Sequence, residues 1–447
     1  FRRVLFRSDG TVFSALNPNG KPLLTINIPS GLQYGSNPGS ITNQSFFGLE
    51  VPDDQTLGLI GGEVTIPGGA LLAFDGRIEL GSVGNGVVKL TPTDTSFVLD
   101  YSAVQEFQDI RLSEGALVDT SGFGGGSIQV QGANVSLRGS DVFADTNGSG
   151  TGGGIVVEAS QLSLEGGSRI TTDVTGSGQG GDLTVDTTES VRVIGVAADG
   201  ILSVLRAQVF PGATGNGGDV SITTGELMVS DGARVSAGSF GEGDGGTLRV
   251  DASSTVQVIG TSADSLFPSG LFTQTEGTAN AGELSITTDQ LMVSDGAIVS
   301  ASTFGLGDSG NLTVDASSSI QVIGISASGQ FPSGLFTQTQ GTGHGGDVSI
   351  TTGELMVSDG ARVSARTTAE GDGGNLSVNA EETVQLIGTS ASGQFASGLF
   401  ARTQGTGHGG DVSITTGQLI VKDGARVSAR TTAEGDGGNL SVNAEET

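Results

Sequence analysis

Apolar and polar residues alternate over short stretches along most of the chain, and these stretches return at a fixed distance. The segment Gly345–Ala365, GGDVSITTGELMVSDGARVSA, recurs almost letter for letter three more times. One position of this repeat holds Met228, Met292, Met356 and Ile420, so consecutive copies lie 64 residues apart. A long fixed period is typical of a protein whose repeated units stack on one another.

Each 64-residue unit contains two smaller ones. A glycine-containing turn followed by an alternating strand begins at Val220, Leu248, Leu284, Leu312, Val348, Leu376, Val412 and Leu440. The intervals between these residues alternate between 28 and 36. The same signal extends upstream to Leu183, Ile155 and Ile128. We interpret each interval as one rung of a solenoid, with the regular rungs covering residues 124–447.

The alternation predicts three short strands in each rung, separated by Thr-Gly, Asp-Gly or glycine-rich corners. The predicted strands are Val220–Thr223, Leu227–Ser230 and Ala233–Ala237 in a shorter rung, and Leu248–Val250, Val256–Val258 and residues around Leu271 in a longer one. A period of two puts alternate side chains on opposite sides of the backbone. The predicted inward residues of the shorter rung are Val220, Ile222, Leu227, Val229, Val235 and Ala237. Ser221, Met228 and Arg234 then point outward.

These features predict an all-β fold, a parallel β-helix with three strands per rung. Each strand would pair with its counterpart one rung away, about 4.8 Å distant. A solenoid of α-helices is excluded because Ser, Thr, Val, Gly and Asp dominate the strands, and no stretch shows helical spacing between caps.

Composition narrows the range of partners. The 447 residues include 78 glycines and no cysteine, so neither disulfides nor a thiolate metal site is available. The net charge of −29 argues against nucleic acid as a partner. No apolar run approaches the length of a transmembrane helix, so we expect no membrane insertion. No signal peptide stands at the N-terminus.

The N-terminal part is less regular than the rest. Residues 1–8, FRRVLFRS, are basic and apolar, and we interpret them as foreign sequence of the kind that a sequencing adapter encodes. Residues 9–123 are predicted to form an irregular β-solenoid. The regular repeats of residues 124–447 stop in mid-rung at Thr447, which indicates truncation at the C-terminus.

Several motifs in residues 13–130 follow one another in a recognisable order. They are PLLTIN-x-P, GLQ-x-G, NPG-x-I-x-NQS, LIGG-x-V and G-x-I-x-L-G. In this order they resemble exoproteins of the filamentous-haemagglutinin type, in the form common in cyanobacteria. The segment resembles the part that follows the secretion domain of those proteins. The NPNG of Asn17–Gly20 resembles a motif of the secretion domain itself, but its neighbours align it with the later segment.

The resemblance implies two-partner secretion through an outer-membrane transporter. It also implies a right-handed parallel β-helix and a location at the cell surface or in the secreted fraction. The chain would then be a fragment from downstream of the secretion domain.

Two series of aspartates recur every 64 residues. One is Asp231, Asp295, Asp359 and Asp423, and the other is Asp244, Asp308, Asp372 and Asp436. Calcium is one interpretation, since Gly/Asp-rich β-rolls bind it, but carboxylates on every second rung lie about 9.6 Å apart and form a poor cage. We favour a role in turns and predict no metal-binding, cofactor-binding or catalytic residues.

Arginines and histidines also recur. Arg234, Arg362 and Arg426 are predicted to point outward, and we favour a role in offsetting the acidic series over a basic stripe for an anionic glycan. Arg366, Arg402 and Arg430 are found only in the later copies. His344 and His408 lack a Cys or carboxylate at metal-ligand spacing and are expected to be exposed turn residues.

Phenylalanines of the longer rungs form the candidate contact edge. The six residues are Phe267, Phe272, Phe331, Phe336, Phe395 and Phe400. If exposed they would form a binding stripe for a carbohydrate or protein, and if tucked in they would fill the wider rung. Packing is slightly favoured because aromatic residues make up only 5% of the chain.

The functional hypothesis is an adhesin-like exoprotein, secreted or at the cell surface, whose β-helix serves as stalk and contact surface for a glycan or cell-surface ligand. The alternatives are a polysaccharide-active β-helix enzyme and a passive structural or surface-layer protein. We predict no enzymatic activity, because the acidic residues repeat with the rungs and no Ser/His/Asp set or P-loop is present.

Overall fold

A computed structural model describes residues 4–7, 12–14, 29–93, 97–368, 370–432 and 434–446. These residues contain strands and turns but no helix, and so no helix long and apolar enough to cross a membrane. The N-terminal strands are β1 (Val4–Arg7), β2 (Val12–Ser14), β3 (Pro29–Tyr34), β4 (Ile41–Thr42), β5 (Leu49–Glu50), β6 (Thr56–Gly61), β7 (Val64–Pro67), β8 (Ala70–Leu72), β9 (Arg77–Pro92), β10 (Phe97–Phe107), β11 (Ile110–Ser113) and β12 (Leu117–Asp119).

The strands that follow repeat a pattern of one long and one short strand. They are β13 (Ser127–Gln131), β14 (Asn134–Arg138), β15 (Asp141–Phe143), β16 (Gly154–Glu165), β17 (Arg169–Thr171), β18 (Leu183–Ile194), β19 (Val204–Val209), β20 (Val220–Ser230), β21 (Arg234–Ser239), β22 (Leu248–Ile259), β23 (Gly270–Phe272), β24 (Leu284–Ser294), β25 (Ile298–Ser300), β26 (Leu312–Ile323), β27 (Gly334–Thr339), β28 (Val348–Ser358), β29 (Arg362–Thr367), β30 (Leu376–Ile387), β31 (Gly398–Thr403), β32 (Val412–Lys422), β33 (Arg426–Thr431) and β34 (Leu440–Glu446).

Two stacks of parallel strands run along the molecule and define a parallel β-helix. The long strands pair in the order β16, β18, β20 and onward to β34, which we call the first sheet. The short strands from β5 to β33 form the second sheet of 13 strands. Val220 pairs with Leu248, and Leu248 pairs with Leu284. Every rung therefore hydrogen-bonds to the rungs before and after it, as stacked parallel strands require.

The first two predicted strands of a rung are continuous in most rungs. β13 and β14 are separate and pair with the two halves of β16, whereas β20 runs through the corner with a shift of register between Thr224 and Glu226. Thr224 is buried at this bend, and its hydroxyl donates to the carbonyl of Glu226 at 3.1 Å. The buried Thr224 hydroxyl thus provides a hydrogen bond for a backbone carbonyl at the corner, and the strand continues through it.

The core is a continuous column of aliphatic side chains inside the rungs. The predicted inward residues Val220, Ile222 and Val235 are completely buried, while Ser221 and Met228 lie partly exposed on the other side. The alternation therefore predicted the inner and outer sides correctly. One face of each strand is sealed from water, and the outer side chains are free to vary.

An antiparallel hairpin interrupts the N-terminal rungs. The first part of β9 pairs in parallel with β6 and β13, and its second part pairs antiparallel with β10 and β3. Tyr34, Tyr101 and Val88 form a second small core here, and the Tyr34 hydroxyl donates to the carbonyl of Ile60 at 2.9 Å. The irregular region is thus a set of parallel rungs with an inserted hairpin. The PLLTIN motif lies outside the described residues.

Candidate functional site

The outer face of the second sheet carries the candidate contact residues. In register, position after position along the sheet, Ser236, Phe272, Ser300, Phe336, Ser364 and Phe400 follow one another. Small serines of the shorter rungs therefore alternate with aromatic rings of the longer rungs. This alternation makes shallow grooves floored by serine and walled by phenylalanine.

Glycine makes room for two of the rings. Phe272 folds back over Gly270, and Phe336 folds back over Gly334, so a β-carbon at either glycine would collide with the ring. The ring in turn packs on the glycine backbone, which has no side chain to cover it. In these two rungs the Gly-Leu-Phe sequence therefore places an aromatic side chain against the backbone of the sheet.

Four of the six rings, those of Phe267, Phe272, Phe395 and Phe400, are covered by arginine. The guanidinium of Arg234 lies 5.1 Å from the ring centre of Phe272, and that of Arg362 lies 5.5 Å from the ring centre of Phe400. Phe272 is 5% exposed and Phe400 is 1% exposed. A cation over an aromatic face is attractive and shields the ring from water. For these two residues, packing rather than exposure is the outcome.

Phe336 differs because Ile298 occupies the position that Arg234 and Arg362 hold in other copies. No guanidinium covers this ring in the described residues, and Phe336 remains half-buried. Phe304, on the same side, is 39% exposed. The other three predicted residues, Phe267, Phe331 and Phe395, are also half-buried.

A groove of about 360 Å³ follows from this arrangement. Its apolar lining comes from Ile298, Phe304, Pro332, Phe336 and Phe400. Its polar lining includes Gln274, Gln338, Gln404, Arg362, Arg366 and Arg402. An aromatic platform beside amide and guanidinium donors is chemically suited to a sugar ring, which has apolar faces and hydroxyl edges.

The sequence prediction missed the importance of Ile298 and Phe304. The signal was present in the repeat itself: ARVSAGSF, AIVSASTF and ARVSARTT align, and only the middle copy has isoleucine at the second position. A ring one rung away is uncovered by that substitution. The consequence depends on stacking and cannot be deduced from one copy alone.

Ion pairs occupy the N-terminal part of the same outer face. Arg169 forms a two-pronged pair with Asp141 at 2.9 and 2.6 Å, and Arg206 does the same with Asp173 at 3.0 and 2.5 Å. Asp145 accepts hydrogen bonds from the Thr171 hydroxyl and the Asp173 backbone N–H, both at 2.7 Å. Loss of hydration, reinforced by the neighbouring Asp173, raises the pKa of Asp145 to about 7.

The arginines of the later copies are not paired in this way. Among the described residues no carboxylate lies within 4.0 Å of the guanidinium groups of Arg234, Arg362, Arg366, Arg402, Arg426 or Arg430. No ion pair therefore supports the expectation that Arg234, Arg362 and Arg426 offset the acidic series, and it stays a prediction. Arg234 and Arg362 lie over phenylalanine rings instead, because each arginine begins a strand of the second sheet and points along its outer face.

The first aspartate series shapes turns. Asp231, Asp295, Asp359 and Asp423 have φ of 56–57°, and the glycine after each also has positive φ. Asp tolerates this left-handed conformation better than most residues, and glycine adopts it freely. The described residues contain no group of three or more His, Cys, Asp or Glu that could hold a metal ion.

The second series joins the rungs at another corner. The carboxylate of Asp244 accepts from the backbone N–H of Asn280 at 3.0 Å, and the side-chain oxygen of Asn280 accepts from the N–H of Asp308 at 2.9 Å. Asp308 accepts in turn from the N–H of His344 at 2.7 Å. Aspartates thus alternate with asparagine or histidine along the corner, which keeps carboxylates about two strand spacings apart.

The histidines belong to this corner ladder. The Nδ1 atom of His344 accepts from the backbone N–H of Asp372 at 3.2 Å and lies 3.8 Å from its carboxylate. His408 lies 3.7 Å from Asp436 in the same way. Both histidines are exposed turn residues, as predicted. The nearby carboxylate was missed because it lies 28 residues away in sequence.

Rungs, outer grooves and corner ladders define a β-helical rod. Residues 4–130 match the family model described as the TPS secretion domain. This match supports a two-partner-secretion exoprotein of the filamentous-haemagglutinin type. No curated protein and no solved structure matches it.

The match corrects the predicted placement of the N-terminal region. We expected residues 9–123 to follow the secretion domain, but residues 4–130 correspond to that domain itself. Motif order alone does not fix where a domain ends. The foreign origin of residues 1–8 stays a prediction, although the match begins at residue 4 and β1 pairs with β2 and β3.

Proteins with this domain are secreted or displayed at the cell surface, and the domain implies interaction with an outer-membrane transporter. The recurring corners and grooves lie beyond the matched residues. A function other than secretion is therefore sought in this part of the chain.

Proposed function

We propose that this exoprotein is adhesin-like, with the β-helix as stalk and the outer face of the second sheet as the contact surface. The ligand is a glycan or another cell-surface group. The observation that carries the proposal is the groove beside Phe336, where an aromatic ring and polar donors are accessible together on a rigid sheet.

Two features of the groove support a binding role. Phe304 and Phe336 provide apolar surface that the protein leaves uncovered at an energetic cost, since burying such a side chain contributes roughly 1.5–3 kcal/mol. Gln274 and Gln338 supply hydrogen-bond donors and acceptors beside these rings. Continuous hydrogen bonding between rungs keeps this arrangement in place before a ligand arrives.

The proposed role does not involve catalysis. The carboxylates of Asp244, Asp308 and Asp372 each accept backbone hydrogen bonds from the next rung, which engages them in the fold. A polysaccharide-cleaving site would need acidic residues directed at a substrate. The repeated aspartates instead have structural partners.

Binding and cleavage can be tested together on the purified chain. We expect attachment to a cell surface or an immobilised glycan without release of shortened oligosaccharides. Replacing Phe304→Ala and Phe336→Ala together should weaken binding at least about tenfold, because a well-packed aromatic contact contributes 2 kcal/mol or more.

The matched control is the pair Phe46→Ala and Phe47→Ala, since both rings are more than four-fifths exposed and lie outside the groove. The control should bind as the unchanged chain does. Equal binding by the groove variant and the unchanged chain would overturn the assignment of the contact surface. Cleavage that one acidic substitution abolishes would favour an enzyme, and no attachment to any surface would favour a passive structural protein.

A further inference from the structure

Three arginines stack in consecutive rungs on the outer face of the second sheet. Arg366 of β29 is in register with Arg402 of β31, and Arg402 is in register with Arg430 of β33. Adjacent strands lie about 4.8 Å apart. Like charges placed directly opposite one another destabilise a sheet. This stack therefore carries a cost that nothing in the core requires.

The surroundings of the stack do not neutralise it. Arg366 donates a hydrogen bond to the neutral side chain of Gln404 at 2.6 Å, and the Nε of Arg402 is buried without a hydrogen-bond partner. Burial, followed by the charges of Arg366, Arg430 and Arg426, lowers the pKa of Arg402. In this respect the stack differs from the paired arginines at the other end of the same sheet.

The contrast along the sheet is informative. Arg169 and Arg206 each have a carboxylate partner on a neighbouring rung, at the N-terminal end of this outer face. The face thus changes from ion-paired to uniformly positive in a chain whose net charge is −29. Positive charge is therefore concentrated at one place on a molecule that is acidic elsewhere.

We propose that the arginine stack binds a linear anionic polysaccharide that lies along the rod axis. This inference rests on the proposed contact surface and names its ligand class. Guanidinium groups match carboxylate and sulfate geometry and keep their charge at all physiological pH values. A polymer is favoured because the charges repeat from rung to rung in a line.

The adjoining groove fits the same ligand. It is lined by Arg366 and Arg402 and by the half-buried ring of Phe336, whereas Phe400 is buried beneath Arg402. The sugar ring of an acidic glycan can pack on an aromatic face while its charged group pairs with a guanidinium. Repulsion from the acidic remainder of the chain is screened beyond about 10 Å at 0.1 M salt, so local contacts decide the affinity.

The test measures binding of the full chain to alginate, dextran sulfate and neutral dextran at 0.1 M salt. Alginate offers carboxylates and dextran sulfate offers sulfate esters, so the two arms distinguish the source of the anion. Replacing Arg366→Gln, Arg402→Gln and Arg430→Gln together should lower the affinity for the anionic polymer about tenfold or more, because three charge-assisted contacts are lost. The salt dependence of binding should also become weaker.

The control removes the same charge from elsewhere. Arg138, Arg192 and Arg249 lie on strands of the first sheet, and their joint replacement by Gln should leave the affinity unchanged. The stack variant should also unfold at the same temperature as the unchanged chain or at a higher one, since repulsion within the stack is relieved. This second measurement separates lost binding from lost folding.

Binding to either anionic polymer that the stack variant loses and the control keeps would support the proposal. Equal loss in both variants, or unchanged binding by the stack variant, would overturn it. Attachment to neutral glycans alone, through Phe304 and Phe336, would overturn the proposal of an anionic ligand but would agree with the proposed contact surface. Absence of binding to every polymer and every cell surface would reject both.

Discussion

Single residues in this protein take their environment from the rungs before and after them. Phe272 and Phe336 occur in the same Gly-Leu-Phe sequence, yet the first is buried under Arg234 and the second lies beside Ile298 and is half-buried. The local sequence predicts that both rings point outward. It does not predict exposure, because the covering side chain belongs to the preceding rung.

Asp145 gives a prediction about pH. Its pKa is raised from 3.8 to about 7, so the folded chain holds a proton that the unfolded chain has already lost between these values. The stabilising contribution of Asp145 to the free energy of unfolding is fully present below pH 3.8 and is lost as the pH rises through about 7. Burial also raises the pKa of the neighbouring Asp173, which acts in the same direction.

We therefore expect the fall in thermal midpoint between pH 5 and pH 8 to be smaller, by a few degrees, in an Asp145→Asn variant than in the unchanged chain. Asp186→Asn, an exposed position on β18, is the control and should keep the full fall. Identical pH dependence in all three proteins would mean that Asp145 is not protonated in the folded state near neutral pH.

The corner ladder behaves as an element in its own right. Asn216, Asp244, Asn280, Asp308, His344, Asp372, His408 and Asp436 follow one another rung by rung, and no two aspartates are adjacent. The first six of these side chains, Asn216 to Asp372, each accept a backbone hydrogen bond from the next rung, so the ladder holds successive rungs together. Because asparagine or histidine separates successive aspartates, the ladder avoids repulsion between carboxylates on adjacent rungs.

Asn280→Asp should break the alternation by placing three carboxylates in consecutive rungs. We expect a loss of about 0.5 kcal/mol in unfolding free energy, because like charges directly opposite one another cost roughly 0.2–1 kcal/mol. The loss should shrink at 1 M salt, where screening is stronger. Denaturant unfolding at low and high salt measures both effects.

The control for this change is Gln257→Glu, which adds one negative charge on the outer side of β22 beside Met228 and Met292. It should cost less than Asn280→Asp and show less dependence on salt. If the two variants were equally destabilised, net charge rather than adjacency would explain the loss.

Elements that repeat were the easiest to predict from the sequence. Strand starts such as Val220 and Leu248, and the inward side of each strand, follow from alternation and glycine turns, which are local signals. The β9–β10 hairpin occurs once and has no period, so it was not predicted. The continuous corner at Thr224 was also missed, because a buried hydroxyl satisfies the bend where a break was expected.

The whole molecule combines a secretion domain with a rod that presents side chains at fixed intervals. The family resemblance identified the route of export, while the position of the secretion domain required the family match over residues 4–130. The contact surface could be predicted only in part. Its aromatic residues are evident in the sequence, whereas the unpaired arginine stack depends on the register of β29, β31 and β33.

We propose that the outer face of the second sheet makes the contact with a surface. The chain has no cysteine, so a single one can be introduced and modified with a bulky maleimide. Gln338 lies half-buried on the second sheet beside the groove, and Ser285 lies half-buried on the outer side of the first sheet. The variants Gln338→Cys and Ser285→Cys therefore differ mainly in the sheet on which the maleimide adduct is placed.

The measurement is attachment of the modified variants to the cell surface or glycan that the unmodified chain binds. We predict that the adduct at position 338 abolishes attachment and that the adduct at position 285 leaves it unchanged. Attachment that survives modification at position 338, or that is lost equally at both positions, would contradict the account.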